Sequence, residues 1–330
     1  MNLSFDEFIH KVNQEKSIYS AGPAALLLEN IEFLQPCFGR GDKNYLEAEE
    51  FVLNYLSTLT SHKNIVRLQG SATLAIEIAI LNFCRGRLLI IDTGYYSDRL
   101  KKISEKISLN SDSKVTSISH KEIENVSNNN YDWIIACYTE TSIGLKLNID
   151  ALKKLANKTN AQLLLDATAS IGIEVNHHFA DVICYSSCKG LFGLTGSSFI
   201  AFRDQEILEP ENSYYLSLKM HINKGVTGPY HTILSLYGVF QNYKKYLQRL
   251  NKWHKSFLKV FANNLVHEIK DQPKLCTLLD SKVFYKKKNP VPYLPRININ
   301  GSVICHIGQI HNQEHTINED LIKEHFTLDK

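Results

Sequence analysis

A chain of 330 residues has room for one large core and a smaller one, since single cores stop growing near ~250–300 residues. At 44% hydrophobic and 22% charged, with 16 Gly and 8 Pro, the composition is ordinary for a globular protein and excludes a disordered tract, a collagen-like repeat or a disulfide scaffold. The formal net charge is +3 and basic residues are spread along the chain, apart from the loop-like run Lys286-Lys287-Lys288, so nothing calls for nucleic acid or an anionic membrane as partner.

The first segment, MNLSFDEFIHKVNQEK, mixes acidic and basic residues without an apolar leader core, and no later run approaches the ~20 apolar residues of a membrane span. Seven cysteines, an odd number with no C-x-x-C pair, read as reduced thiols, with Cys137 and Cys184 as packing inside apolar strands. The expectation is a cytoplasmic protein. From about residue 62 to 204, short apolar β-rich runs alternate with amphipathic segments, the pattern of βαβ units and a mainly parallel sheet. Strands are expected at Asn64–Leu68, Arg87–Asp92, Lys114–Ser119, Trp133–Tyr138, Gln162–Asp166, Val182–Ser186 and Ser198–Phe202. Helices are expected at Thr73–Phe83, Asp98–Ile107 and Ile149–Asn157.

After Pro229 the spacing becomes helical across Tyr230–Ile269, as one long helix or a broken pair. Short β-like pieces and a last helix near Asn318–Phe326 then form a small α+β domain. Asp271–Lys274 and Lys286–Pro295 are the linker candidates, and the division falls at 1–232 for the large domain with its N-terminal arm and 233–330 for the small one.

In open α/β sheets chemistry sits beyond the carboxyl ends of the strands. The strand Gln162–Asp166 ends on a carboxylate, which alone is more often a cap or turn residue. Another apolar strand then leads into Ser186-Ser187-Cys188-Lys189-Gly190, placing a lysine among small residues 23 positions further on. The pair suits a cofactor carrying an aldehyde on a pyridine ring: the lysine amine bonds to the aldehyde, and the carboxylate keeps the ring nitrogen protonated. Burial favours the neutral, nucleophilic amine. Gln69-Gly70-Ser71-Ala72-Thr73 joins a strand to a helix, where free N–H groups and hydroxyls make an anion site; taken alone, simple capping is the stronger explanation of Ser71 and Thr73, and the two roles are compatible. In Thr93-Gly94-Tyr95-Tyr96-Ser97-Asp98-Arg99 an aromatic ring is available to stack on a planar ligand; two plain tyrosines at a helix entrance, capped by Ser97, is the equal alternative.

Six ordered stretches, GPAA at Gly22–Ala25, QGSATLAIE at Gln69–Glu77, GYYSDR at Gly94–Arg99, TETSIG at Thr139–Gly144, LLLDATASIG at Leu163–Gly172 and SSCKGLFG at Ser186–Gly193, resemble the class V aminotransferases. The resemblance spans about residues 20–235, and the motifs are most similar to those of 2-aminoethylphosphonate–pyruvate aminotransferases. It implies the fold type I architecture, pyridoxal 5'-phosphate as cofactor, Lys189 and Asp166 as its catalytic partners, and no metal. Ser71, Ala72, Thr73 and Ser187 would hold the phosphate, Tyr96 would stack on the ring, and Glu140 and Thr141 would border it. Thr227 would reach the phosphate of a second copy, implying a homodimer, and Gly22 would border the substrate.

The implied activity moves an amino group from a small amine or amino acid (2-aminoethylphosphonate-like, alanine or serine) to a 2-oxo acid such as pyruvate. Three positions depart from the family: Ala72 replaces the usual glycine of the phosphate turn, Cys188 precedes the lysine, and no arginine stands in Val303–Gly308, where an R-I-G-x-I-G stretch clamps the substrate carboxylate. Arg296 is the candidate substitute, against the stronger plain reading of a surface arginine. Two rival readings remain: a pyridoxal-phosphate lyase or desulfurase, which would need a reactive C-terminal cysteine such as Cys305, and a non-catalytic binding module, against which the retained Asp166 and Lys189 argue.

Overall fold

The computed structural model describes residues 4–109, 112–127, 130–210 and 213–329. Successive side chains of a strand face opposite ways, and the run Leu88-Leu89-Ile90-Ile91 shows what that does here. Leu88 and Ile90 enter one apolar cluster while Leu89 and Ile91 enter another. A strand buried on both faces needs helices on both sides, which is why the apolar runs are continuous and not alternating.

Seven strands build this sheet: β2 (Asn64–Gln69), β3 (Arg87–Asp92), β4 (Lys114–Ser119), β5 (Trp133–Cys137), β6 (Gln162–Asp166), β7 (Val182–Ser186) and β8 (Ser197–Phe202). Their order is β2-β8-β7-β6-β5-β3-β4, parallel except that β8 runs against both neighbours. All seven match the sequence expectation to within one residue at either end. One face is covered by α2 (Lys43–Thr60), α5 (Ile149–Thr159) and α6 (Tyr230–Gln241), the other by α3 (Ala72–Phe83) and α4 (Tyr95–Ser108).

The segment Tyr230–Ile269 resolves into a broken pair, α6 and α7 (Tyr243–Val260), interrupted at Asn242; no α-helix continues past Val260. α7 sends Trp253 and Phe257 into a third cluster with Leu279, Ile304, Ile322 and Phe326. This small core is built by β9 (Cys276–Leu279) against β12 (Ser302–Cys305), β10 (Val283–Tyr285) against β13 (Phe326–Leu328), and α8 (Glu319–His325).

Two elements escaped the sequence reading although their signals were present. In α1 (Phe5–Glu15) the Ser4 hydroxyl accepts from the Glu7 N–H and the Glu7 carboxylate accepts from the Ser4 N–H, a capping box written in the sequence as S-x-x-E. For α2, Asp42 caps the Tyr45 N–H, and Tyr45, Ala48, Val52 and Leu56 fall on one buried stripe. Lys286–Pro295 is no linker. Its centre, β11 (Pro290–Pro292), pairs in parallel with β1 (Ser17–Tyr19), Ser17 opposite Pro290 and Tyr19 opposite Pro292. Among the described residues no helix is long and apolar enough to cross a membrane.

Candidate active site

β3, β5, β6 and β7 run in the same direction, so their carboxyl ends lie side by side on one edge of the sheet. Asp166 closes β6, and Lys189 follows three residues after β7. The two strands are neighbours, so a carboxylate and an amine 23 positions apart converge. Both line a narrow cleft together with Tyr96, Arg99, Thr141 and Thr168. The cleft opens into a cavity of about 430 Å³ lined by Gly22, Tyr96, Cys188, Lys189, Tyr293 and Arg296, among others.

Asp166 is buried, accepts from the Thr168 N–H at 3.0 Å and lies 3.5 Å from the Arg99 guanidinium. Arg99 in turn stacks on the Tyr96 ring with its guanidinium 4.8 Å from the ring centroid, and Lys189 Nζ sits 5.9 Å from the same centroid. Residues three apart on a helix share a face, which is how α4 offers Tyr96 and Arg99 together. α4 begins three residues earlier than the sequence predicts because its cap comes from outside the helix. The buried Glu140 carboxylate accepts from the N–H groups of Tyr96 (2.9 Å) and Ser97 (3.2 Å) and from the Thr93 hydroxyl (3.3 Å). Burial, the largest influence, raises its pKa above the ordinary carboxylate value, opposed by these bonds and those from Ser142. Glu140 lines neither cavity; it fixes the stem that carries Tyr96.

Gly22 approaches the lysine from the N-terminal arm. Its φ of +152° is one that L side chains rarely adopt, and a Cβ there would stand 3.3 Å from Lys189 Cγ. The Ala24 N–H bonds to the Cys188 carbonyl, fastening the arm beside the lysine. Arg296 is exposed at the mouth, where it donates to the Tyr95 hydroxyl at 3.2 Å.

Of the other expected residues, Ser71, Ala72 and Thr73 open α3 on the same edge of the sheet but line neither cavity. The Ser71 hydroxyl makes no capping bond, and its carbonyl accepts from the Leu74 N–H at 2.9 Å. Ser187 is buried, its hydroxyl donating to the carbonyls of Leu194 (2.5 Å) and Ser197 (3.2 Å) in the turn after β7. Thr227 is exposed and lines neither cavity.

Sequence reasoning missed Tyr293, whose hydroxyl lies 3.4 Å from that of Thr141 and whose pKa burial pushes well above the ordinary phenol value. It missed also the role of Arg99, although that residue closes a quoted motif. The hydroxyls of Thr139 and Thr168 and the Arg99 Nε are buried and have no hydrogen-bond partner among the described residues, and all three residues line the cleft. Buried polar atoms are nearly always paired. Three unpaired ones around a buried carboxylate, beneath an aromatic ring and beside a lysine, fit a flat polar ring ligand of the kind the sequence predicts. Among the described residues no group of three or more His, Cys, Asp or Glu is placed to hold a metal ion.

A family model for class V aminotransferases matches residues 42–217. An uncharacterized aminotransferase of Helicobacter pylori is 25% identical over 220 residues, 62% of this chain and 59% of that protein. A 2-aminoethylphosphonate–pyruvate transaminase of Pseudomonas aeruginosa is 26% identical over 201 residues, 54% of each. The chain thus aligns with little more than half the length of these relatives. In three dimensions it resembles an aspartate aminotransferase of subgroup IV from Thermus thermophilus, with TM-score 0.76 and 17% identity over 88% of this chain and 93% of that one. An alanine–glyoxylate aminotransferase from Nostoc sp. superimposes with TM-score 0.76 and 16% identity over 93% and 95%. These likenesses establish the fold type I architecture.

Proposed function

Since this chain belongs to the class V aminotransferase family, we propose that it is a pyridoxal-phosphate aminotransferase that moves an amino group from a small amine or amino acid to a 2-oxo acid such as pyruvate. The observation that carries this reading is the convergence of Lys189 and Asp166 in one cleft under Tyr96, with unpaired buried hydroxyls around them. When bound, pyridoxal phosphate supplies an aldehyde for the amine and a protonated ring that draws electrons from the donor's Cα. Asp166 would hold the ring nitrogen protonated, and Tyr96 and Thr141 would border the ring. The N-terminus of α3, with Ser71, Ala72 and Thr73, takes the phosphate, assisted by Ser187 and by Thr227 of a second copy in a homodimer. Lys189 Nζ, once free of the cofactor, takes the proton from the donor's Cα.

Gly22 and Arg296 border the substrate, Arg296 at the mouth with its guanidinium available to a carboxylate or phosphonate. The names of the relatives favour 2-aminoethylphosphonate or alanine as donor, with serine the third candidate, and Arg296 is assigned to the carboxylate of the oxo acid. Seven free thiols suit a reducing, cytoplasmic setting, and the separate apolar cluster around Trp253 suits a small domain within 233–330, α6 itself packing on the large sheet.

The test is a half-reaction. Donor alone should convert the visible band of the lysine-bound cofactor stoichiometrically to that of its amino form, and pyruvate or glyoxylate should restore it. Arg296→Ala should raise the KM for the oxo acid about tenfold while the donor half-reaction is unchanged. Steady release of pyruvate and ammonia from serine, with the original band persisting, would put the enzyme among the lyases.

A further inference from the structure

A second cavity, of about 540 Å³, shares no lining residue with the catalytic one. α1 contributes His10 to it, β1 Ser17, the loop before β11 Lys287 and Lys288, the segment after β12 His311, and α8 His325. Its lining holds three histidines and two lysines and no carboxylate.

The cations are incompletely answered. Lys287 lies 3.3 Å from Glu324, which does not line the cavity, and Lys288 has neither an ion pair nor a hydrogen bond among the described residues. Nδ1 of His311 bonds to the Gly308 carbonyl at 3.1 Å; a carbonyl only accepts, so Nδ1 carries the proton and Nε2, an acceptor, has no partner among the described residues. His325 spends Nδ1 on the Tyr19 hydroxyl at 2.8 Å. The walls are ordered: His325 is 5% and Gln309 1% exposed, and Gln309 is held by the Ile18 carbonyl and by Asn312. Burial, against the bond to the Gly308 carbonyl and with the neighbouring His10 and Arg249, brings His311 down to about 4; burial first, then Lys287, brings His325 to about 3. Both rings are neutral near pH 7, so the positive charge that an entering anion would answer is that of Lys288 and, in part, of Lys287.

We propose that this cavity binds a small organic phosphate, with Lys288 and Lys287 facing the phosphate charge, a hydroxyl of the organic portion donating to His311 Nε2, and the amide side chains meeting its remaining polar groups. An ammonium fits a compact dianion as a point charge, and the volume exceeds what inorganic phosphate fills. β1 places the site three residues from the catalytic cavity: Ser17 lines the new cavity, and Ser20 lines the other.

The experiment uses desalted holoenzyme titrated with glycerol 3-phosphate, following histidine ring resonances by NMR, that of His311 being identified by its loss in His311→Asn. The His311 resonance should move saturably, and Lys288→Ala, at an exposed and unpaired position, should weaken the midpoint about tenfold without altering the thermal melt. A similar midpoint with inorganic phosphate would mean that the phosphate carries the recognition; a tighter one with the ester would mean that the amides contribute. No saturable movement up to about 10 mM overturns the proposal, as does an unchanged midpoint in Lys288→Ala or equal movement with sodium chloride at matched ionic strength.

Discussion

Replacing Lys189 by alanine should abolish the borohydride-reducible link to pyridoxal phosphate and lower transamination by roughly 10⁴-fold. Two functions are lost together: the amine that bonds to the aldehyde and the base that moves the donor's proton. No other lysine lines the cleft or the cavity in front of it, so nothing nearby takes over. Fold and cofactor affinity should suffer less, because Asp166, Tyr96 and the α3 turn remain. The check is the visible spectrum after loading and desalting, together with mass analysis after borohydride. A reducible adduct in Lys189→Ala would remove Lys189 from its assigned place.

Asp166→Asn should retain most cofactor binding while turnover falls at least ~10²-fold. The amide is isosteric and can still accept the 3.0 Å bond from the Thr168 N–H, so the local turn survives. What disappears is the negative charge that faces both Arg99 and the ring nitrogen, and with it the means of keeping that nitrogen protonated. Arg99 then lies beside a neutral neighbour with its stack on Tyr96 intact, so the variant should melt close to the wild type. Full activity in Asp166→Asn would take the carboxylate out of the mechanism.

What was legible in the sequence follows from locality. Strands buried on both faces announce themselves as unbroken apolar runs, and the two residues at the centre of the chemistry each end or follow such a run, so their convergence required only that β6 and β7 be neighbours. Glu140 was harder. Its position was readable but its partners are α4 backbone N–H groups 43 and 44 positions away, and no local signal told a ring-bordering residue from a helix-capping one. Tyr293 was hidden by its surroundings, since a three-residue strand flanked by prolines and paired only to the N-terminal arm has no periodicity to read. α1 and α2 were missed for a different reason: their capping residues and buried stripe are present in the sequence and went unread.

The parallel pairing of β1 with β11 also sets a timetable. Glu15 and Asn289 are bonded 274 positions apart, and just beyond this pairing both segments line the catalytic cavity, with Gly22 from one and Tyr293 from the other. Closing so long a loop is entropically costly and slow compared with forming neighbouring βαβ units. During refolding the far-UV dichroism of the sheet should therefore recover before the protein acquires its cofactor absorbance, and simultaneous recovery of the two signals would refute this order. The chain assembles its scaffold first and its enclosure last.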